Sequence, residues 1–182
     1  MKILKLLFLF VLPTLGYCQS DVPIPEFKNT IALLQNGALA NLERLTPAME
    51  TKHKGFSADV LFTVDGTTSN VRLNANNLQF VFKMLDTETD PSTVVKLLKV
   101  VPTKNKRTIK QTSMSSFGSK KVKEDVYALS FKKVESGVYI ISPVESALES
   151  GEYVLQVPLN YQEQASLTLS GVNVIWFGFG ID

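Results

Sequence analysis

Few residue types in this chain could carry out chemistry, and they can be taken one at a time. His53 is the only histidine and stands between Lys52 and Lys54. A Ser-His-Asp triad would have to use it as its base. Nothing else in that polar stretch marks a base, so His53 reads as an exposed linker residue. Zinc takes several His or Cys ligands, more than the one histidine and Cys18 offer. Asp86-Thr87-Glu88-Thr89-Asp90 sets three carboxylates at alternate positions, as an EF-hand loop begins. Pro91 then occupies the sixth position, where that loop needs glycine, and no bidentate Glu follows at the right distance. The segment reads as a solvated loop in which Asp90-Pro91 starts a turn, with an irregular calcium site as the open alternative. Ser130-Phe131-Lys132-Lys133 spells Ser-x-x-Lys, a motif that works from a helix start. Here it falls in an expected strand, where side chains three apart point to opposite faces. Gly-x-Ser-x-Gly and phosphate-binding glycine patterns are missing from the sequence. No catalytic residue, metal set or cofactor is assigned, and a hydrolase built on paired carboxylates is the weakest of the functional readings.

Basic residues offer more. Lys104, Lys106, Arg107 and Lys110 fall on and after one expected turn, and Lys120, Lys121 and Lys123 flank a Ser/Gly-rich loop. If both connections share one end of the fold, they form a cationic patch able to hold an anionic glycan or lipid headgroup. The competing reading is a set of edge and loop lysines that discourage edge-to-edge pairing. The aromatic run Ile175-Trp176-Phe177-Gly178-Phe179 reads as a closing core strand rather than a sugar platform. Charges within the expected strands argue against a transmembrane barrel.

The segments around these residues set compartment and class. Met1-Lys2-Ile3-Leu4-Lys5, an apolar run from Leu6 to Leu12, then Pro13, Gly16 and small or polar residues to Ser20 have the order of a secretory signal peptide. The run is far shorter than the ~20 residues of a membrane-spanning helix. Cleavage after Cys18 or after Ser20 fits the small residues nearby. Tyr17 immediately before Cys18 argues against a lipid anchor there. The exported chain then has no cysteine and no disulfide framework. Of 19 basic and 17 acidic residues, Lys2 and Lys5 leave with the signal, so the net +2 disappears. Nucleic acid is not an expected partner of a neutral domain.

Residues 21–55 read as a lead-in followed by a hairpin or a helix. Thr30–Gln35 and Ala38–Leu45 flank Asn36-Gly37, a type I′ turn signal. Thr46–Gly55 is polar. From residue 56 to 182 the pattern is two-periodic: Val60, Phe62 and Val64; then Ser69–Leu73 as a return strand; then Leu78, Phe80, Phe82 and Met84; Val94–Val101; Arg107–Thr112; Tyr127, Leu129 and Phe131; Val138–Ser142; Val154–Val157; and Val172–Phe179. Leu148, Gly151 and Tyr153 have the spacing of a tyrosine corner, whose phenol bonds back to the backbone a few residues upstream. These features predict an all-β fold: an immunoglobulin-like Greek-key β-sandwich at 56–182, preceded by a short N-terminal hairpin or helix.

In order along the chain stand Leu42-Glu43-Arg44, Gly66-x-x-Ser69-x-x-Arg72, Phe80-Val81-Phe82-Lys83, Asp90-Pro91, Lys104 to Arg107, Gly137-Val138-Tyr139, Gly151-Glu152-Tyr153 and Phe177-Gly178-Phe179-Gly180. This series resembles an uncharacterised family of exported proteins of Gram-negative, Bacteroidota-type bacteria. The resemblance implies an exported domain of conserved fold and carries over no catalytic residue. The functional expectation is a non-enzymatic module of the cell envelope, in the periplasm, at the outer membrane or outside the cell. It would act through its surface on an envelope protein, with a glycan- or anionic-ligand-binding module as the alternative.

Overall fold

A computed structural model describes residues 22–115, 118–121, 125–161 and 173–182. The expected signal peptide at 1–20, Cys18 and Lys123 lie outside the described residues. The strands run in chain order as β1 (Thr30–Gln35), β2 (Ala38–Asn41), β3 (Glu43–Leu45), β4 (Ala48–Lys54), β5 (Ser57–Asp65), β6 (Arg72–Leu73) and β7 (Phe80–Lys83). A single turn of helix, α1 (Pro91–Val94), precedes β8 (Lys96–Pro102), β9 (Lys106–Ser115), β10 (Gly118–Lys121) and β11 (Val126–Tyr127). Then follow β12 (Leu129–Glu135), β13 (Val138–Pro143), β14 (Gly151–Pro158) and β15 (Val174–Ile181).

The strands form two sheets packed as a sandwich. Among the described residues, one has five strands in the order β12-β13-β7-β1-β2, and the other has ten, with β3-β15-β14-β8-β9-β5-β4 as its path. Among the described strands, pairing is antiparallel except between β6 and β15. The main core lies between the sheets. Ile31, Leu33, Phe80 and Phe82 from the smaller sheet meet Leu97, Tyr153, Leu155, Phe177 and Phe179 from the larger. Phe179 is the aromatic hub, 5.4 Å from Phe80 and stacked 5.7 Å from Tyr153 between ring centroids. Such pairs add about 0.5–1.5 kcal/mol each beyond the area they bury.

A second core forms on the opposite face of the larger sheet. There Leu98, Val100, Val154 and Trp176 pack with Phe62, Val64 and Ile109. The sheet bends back over itself at β8: Lys96–Val100 pair with β14, whereas Val101 and Pro102 pair with β9. Strands β9 and β5 therefore cover the outer face of β8, β14 and β15, which become a middle layer buried on both sides. The sequence carries the reason. Val154-Leu155 and Ile175-Trp176-Phe177 are continuous apolar runs rather than alternations, and continuous runs belong to strands with two covered faces.

The structure corrects several expectations. Residues 22–55 do not precede the sandwich. Strand β1 sits between β2 and β7, and β3 pairs with β15. The β1–β2 hairpin turns at Asn36 and Gly37, both with positive φ, as a type I′ turn requires. Ser69–Leu73 does not return along β5, whose neighbours are β4 and β9. Only Arg72 and Leu73 form a strand, beside β15. Most of the polar stretch at 46–55 is instead edge strand β4, polar because every residue along it but Glu50 is exposed. The helical turn at 91–94 has a sequence signal, Asp90 at the N-cap and Pro91 at N1, a pair that satisfies the first orphan donors.

Candidate functional site

The polar residues that converge in this fold do so against β15. Phe177 and Phe179 point into the main core. Gly178 and Gly180 alternate with them and face the other way, where Trp176 packs. Two guanidinium groups fill the space beside these glycines. A Cβ at Gly178 would lie 3.2 Å from Glu43 Oε2 and 3.4 Å from Arg107 Nη1, and one at Gly180 would overlap the Arg72 guanidinium. Glycine within a strand often marks such close approach.

Arg107 is 1% exposed and among the largest fully buried side chains. It donates to both oxygens of Glu43, from Nη1 at 2.7 Å and Nη2 at 2.9 Å, and from Nε to the Gly66 carbonyl at 3.3 Å. This is the bidentate geometry that makes Arg–carboxylate pairs strong and directional. Burial pushes the Glu43 carboxyl up, but hydrogen bonds from Arg107 and Ser69 and the nearby guanidinium charge outweigh it, leaving the group below its usual 4.5. Next along β15, Arg72 pairs with buried Glu152 and donates from Nε and Nη2 to Asp182 Oδ1 at 3.0 and 2.6 Å. The Ser69 amide donates to the other Glu152 oxygen at 2.7 Å. These partners raise the Arg72 pKa, Asp182 more than Glu152.

The network joins β3, the loop after β5, β6, β9, β14 and β15. Glu43, Gly66, Ser69, Arg72, Arg107, Glu152, Gly178 and Gly180 all take part, and each stands in one of the motifs set out above. Chemically it is a clasp. Its two guanidinium groups are both paired with carboxylates, and its hydrogen bonds tie the covering strands to the middle layer. Sequence reasoning placed Arg107 in a surface patch and passed over Glu43, Arg72 and Glu152. The signal was the Phe-Gly-Phe-Gly alternation, which sets large residues on one face and empties the other.

The expected basic patch does not assemble. Lys104 is exposed in the β8–β9 turn. Lys106 is ion-paired with Glu50, and Arg107 is buried in the clasp. Lys120 and Lys121 lie on β10, opposite Ser113 and Thr112 near the far end of β9. The ten residues of β9 span roughly 30 Å at about 3.4 Å per residue, so the two connections occupy opposite ends. Lys120 instead shares a row with β4, in which Lys52 is opposite Asp59, Asp59 opposite Ser113, and Ser113 opposite Lys120.

At the other corner, Leu148 is buried in the main core. Gly151 begins β14, where a Cβ would approach Lys99 Cε to 2.9 Å. Tyr153 is fully buried and its phenol donates to the Glu149 carbonyl at 2.9 Å, four residues upstream. Burial raises its pKa above the phenol range. A second buried phenol, Tyr161, donates to Asn29 Oδ1 at 2.9 Å and accepts from the Leu85 amide at 3.0 Å. Burial pushes it up to about 12.

The acidic loop turns inward on its own backbone. Asp86 accepts from the amides of Glu88 and Thr89, and Asp90 from Ser92, which holds both carboxyls below their usual range. His53 is exposed on β4. Among the described residues, no three His, Cys, Asp or Glu side chains are grouped to hold a metal ion, and no helix is long and apolar enough to cross a membrane. Fold and clasp define a β-sandwich with a doubly covered middle layer. No family model, curated protein or solved structure matches the chain, so its class rests on its own residues.

Proposed function

We propose that the protein is an exported, non-enzymatic β-sandwich that serves as an interaction or structural module of the cell envelope. The observation that carries this reading is the use to which the interior charges are put. Arg107, Glu43, Arg72 and Glu152 are bound to one another across strands, an arrangement that fixes a surface rather than prepares a reaction. The order of residues 1–20 supports export. The Tyr153 bond to Glu149 is of the kind that pins crossings in Greek-key sandwiches, which supports an immunoglobulin-like reading of the fold. The test is cell fractionation with mass spectrometry of the N-terminus, followed by crosslinking in the envelope fraction. The reading expects a chain beginning at Gln19 or Asp21 and a crosslinked protein partner that survives neutralisation of Lys104 and Lys106. A cytosolic chain that keeps Met1 would overturn it.

A second reading is favoured by the row that brings Lys52 and Lys120 to one end of the β4-β5-β9-β10 ribbon. An anionic glycan would bind there. Array capture lost on neutralising Lys52, Lys120 and Lys121, with unfolding unchanged, supports that reading over the first.

A further inference from the structure

Strand β4 ends the larger sheet, and no described strand lies beyond it. It is regular, pairing with β5 over seven residues without a register shift, and only Glu50 along it is less than exposed. The connection to β5 is Gly55-Phe56, with Gly55 at φ +58, the glycine-first form of a type II′ hairpin. A two-residue connection makes its closing pair, Lys54 and Ser57, hydrogen-bonded, and the parity then alternates along the strand. Ala48, Glu50, Lys52 and Lys54 direct their backbone groups toward β5. Met49, Thr51 and His53 direct theirs outward.

We propose that this edge pairs with a second copy of the chain, β4 against β4, antiparallel about a twofold axis at Thr51. Charge selects the register. An axis at Thr51 sets Glu50 opposite Lys52 of the second copy, twice, with Met49 opposite His53 and Thr51 opposite itself. An axis at Lys52 sets two ammonium groups together, one at Glu50 sets two carboxylates together, and one at His53 sets Lys52 against Lys54. Opposite charges across a strand pair stabilise it and like charges destabilise it. Glu50 and Lys52 would form a non-hydrogen-bonded pair, the closer spacing at about 4.5 Å between Cα atoms. Glu50 already holds Lys106, and a carboxylate accepts about four hydrogen bonds, which leaves capacity for a second cation. Outward amides and carbonyls at Met49, Thr51 and His53 supply about six backbone hydrogen bonds across the axis. The lysines that discourage indiscriminate edge pairing thereby admit one partner in one register. This inference does not depend on the envelope assignment.

Sedimentation equilibrium of the purified protein tests it. The expected result is a reversible monomer–dimer equilibrium, weak because a strand edge buries less than a standard interface of about 1,600 Å². Lys52→Glu alone and Glu50→Lys alone each weaken association about tenfold or more. Mixing the two variants restores it as a heterodimer, because each then meets its complement. Thr51→Pro removes an outward amide at a position where an edge strand tolerates proline, and abolishes pairing. If that variant unfolds, the charge-exchange mixture still decides the matter. A monomer at all concentrations to the millimolar range, or a dimer indifferent to Lys52→Glu, overturns the proposal.

Discussion

Replacing Glu43 with Ala strands the most deeply buried charge among the described residues. Arg107 is 1% exposed, and without Glu43 its guanidinium keeps only carbonyl contacts, to Gly66 at 3.3 Å and Asp65 at 3.5 Å. Removing one partner of a buried ion pair costs about 3–5 kcal/mol, because the other charge stays behind without compensation. The reverse change is milder. The Glu43 side chain is 20% exposed, so Arg107→Met leaves a carboxylate that reaches water and retains most of the buried bulk. We expect it to cost about 1–3 kcal/mol. The double variant removes both charges and should be more stable than Glu43→Ala alone. Urea unfolding with linear extrapolation measures all three. For a chain of this size, a loss of 3–5 kcal/mol lowers the midpoint temperature by roughly 10 °C. A Glu43→Ala protein within about 0.5 kcal/mol of the parent, a change typical of featureless surface sites, would refute the reasoning, as would a double variant no more stable than Glu43→Ala.

Other outcomes follow from the same geometry. Tyr153→Phe removes one buried hydrogen bond to Glu149 and should cost about 1 kcal/mol in the same unfolding assay. Gly180→Ala drives a methyl into the Arg72 guanidinium, which Glu152 and Asp182 hold in place, and should cost about 1–3 kcal/mol; a neutral result would mean that Arg72 is not fixed there. The depressed Glu43 carboxyl contributes stability at neutral pH that fades as pH falls below its usual 4.5 and through its lower folded value. Acid unfolding should therefore begin there, and much of that dependence should vanish in the double variant. Tyr161, pushed up from 10.0 to about 12, contributes stability that is complete below pH 10.0 and is lost as pH rises to about 12. Phenolate absorbance should rise together with unfolding across that window.

The sequence made the strands legible where one face is wet. Leu129 and Phe131 alternate with exposed Ser130 and Lys132, and their strand stands where the alternation puts it. Turns set by Asn36-Gly37 were equally plain, because only a few residues accept positive φ. Layering was not legible. A continuous run such as Ile175-Trp176-Phe177 says that both faces are covered but does not name what covers them, and here the cover is β5 and β9, far away in sequence. The clasp was hidden for the same reason. Arg107 lies among turn lysines in sequence, and only the bend of β8 carries it beneath the surface to Glu43. Lys106, its neighbour, points the other way to Glu50, since adjacent strand residues face opposite sides. The connections before and after β9 looked like neighbours in sequence, but a ten-residue strand holds them apart.

Trp176, the only tryptophan, lies beneath β5 and β9 at 0% exposure and donates to Gln156 Oε1 at 2.9 Å. Acrylamide quenching of its fluorescence in the native protein asks directly whether those strands cover the middle layer. Blue-shifted emission that resists acrylamide, and becomes quenchable at lower urea in Glu43→Ala than in the parent, is the expected result. Emission quenched as readily as free indole in the folded parent would contradict the account.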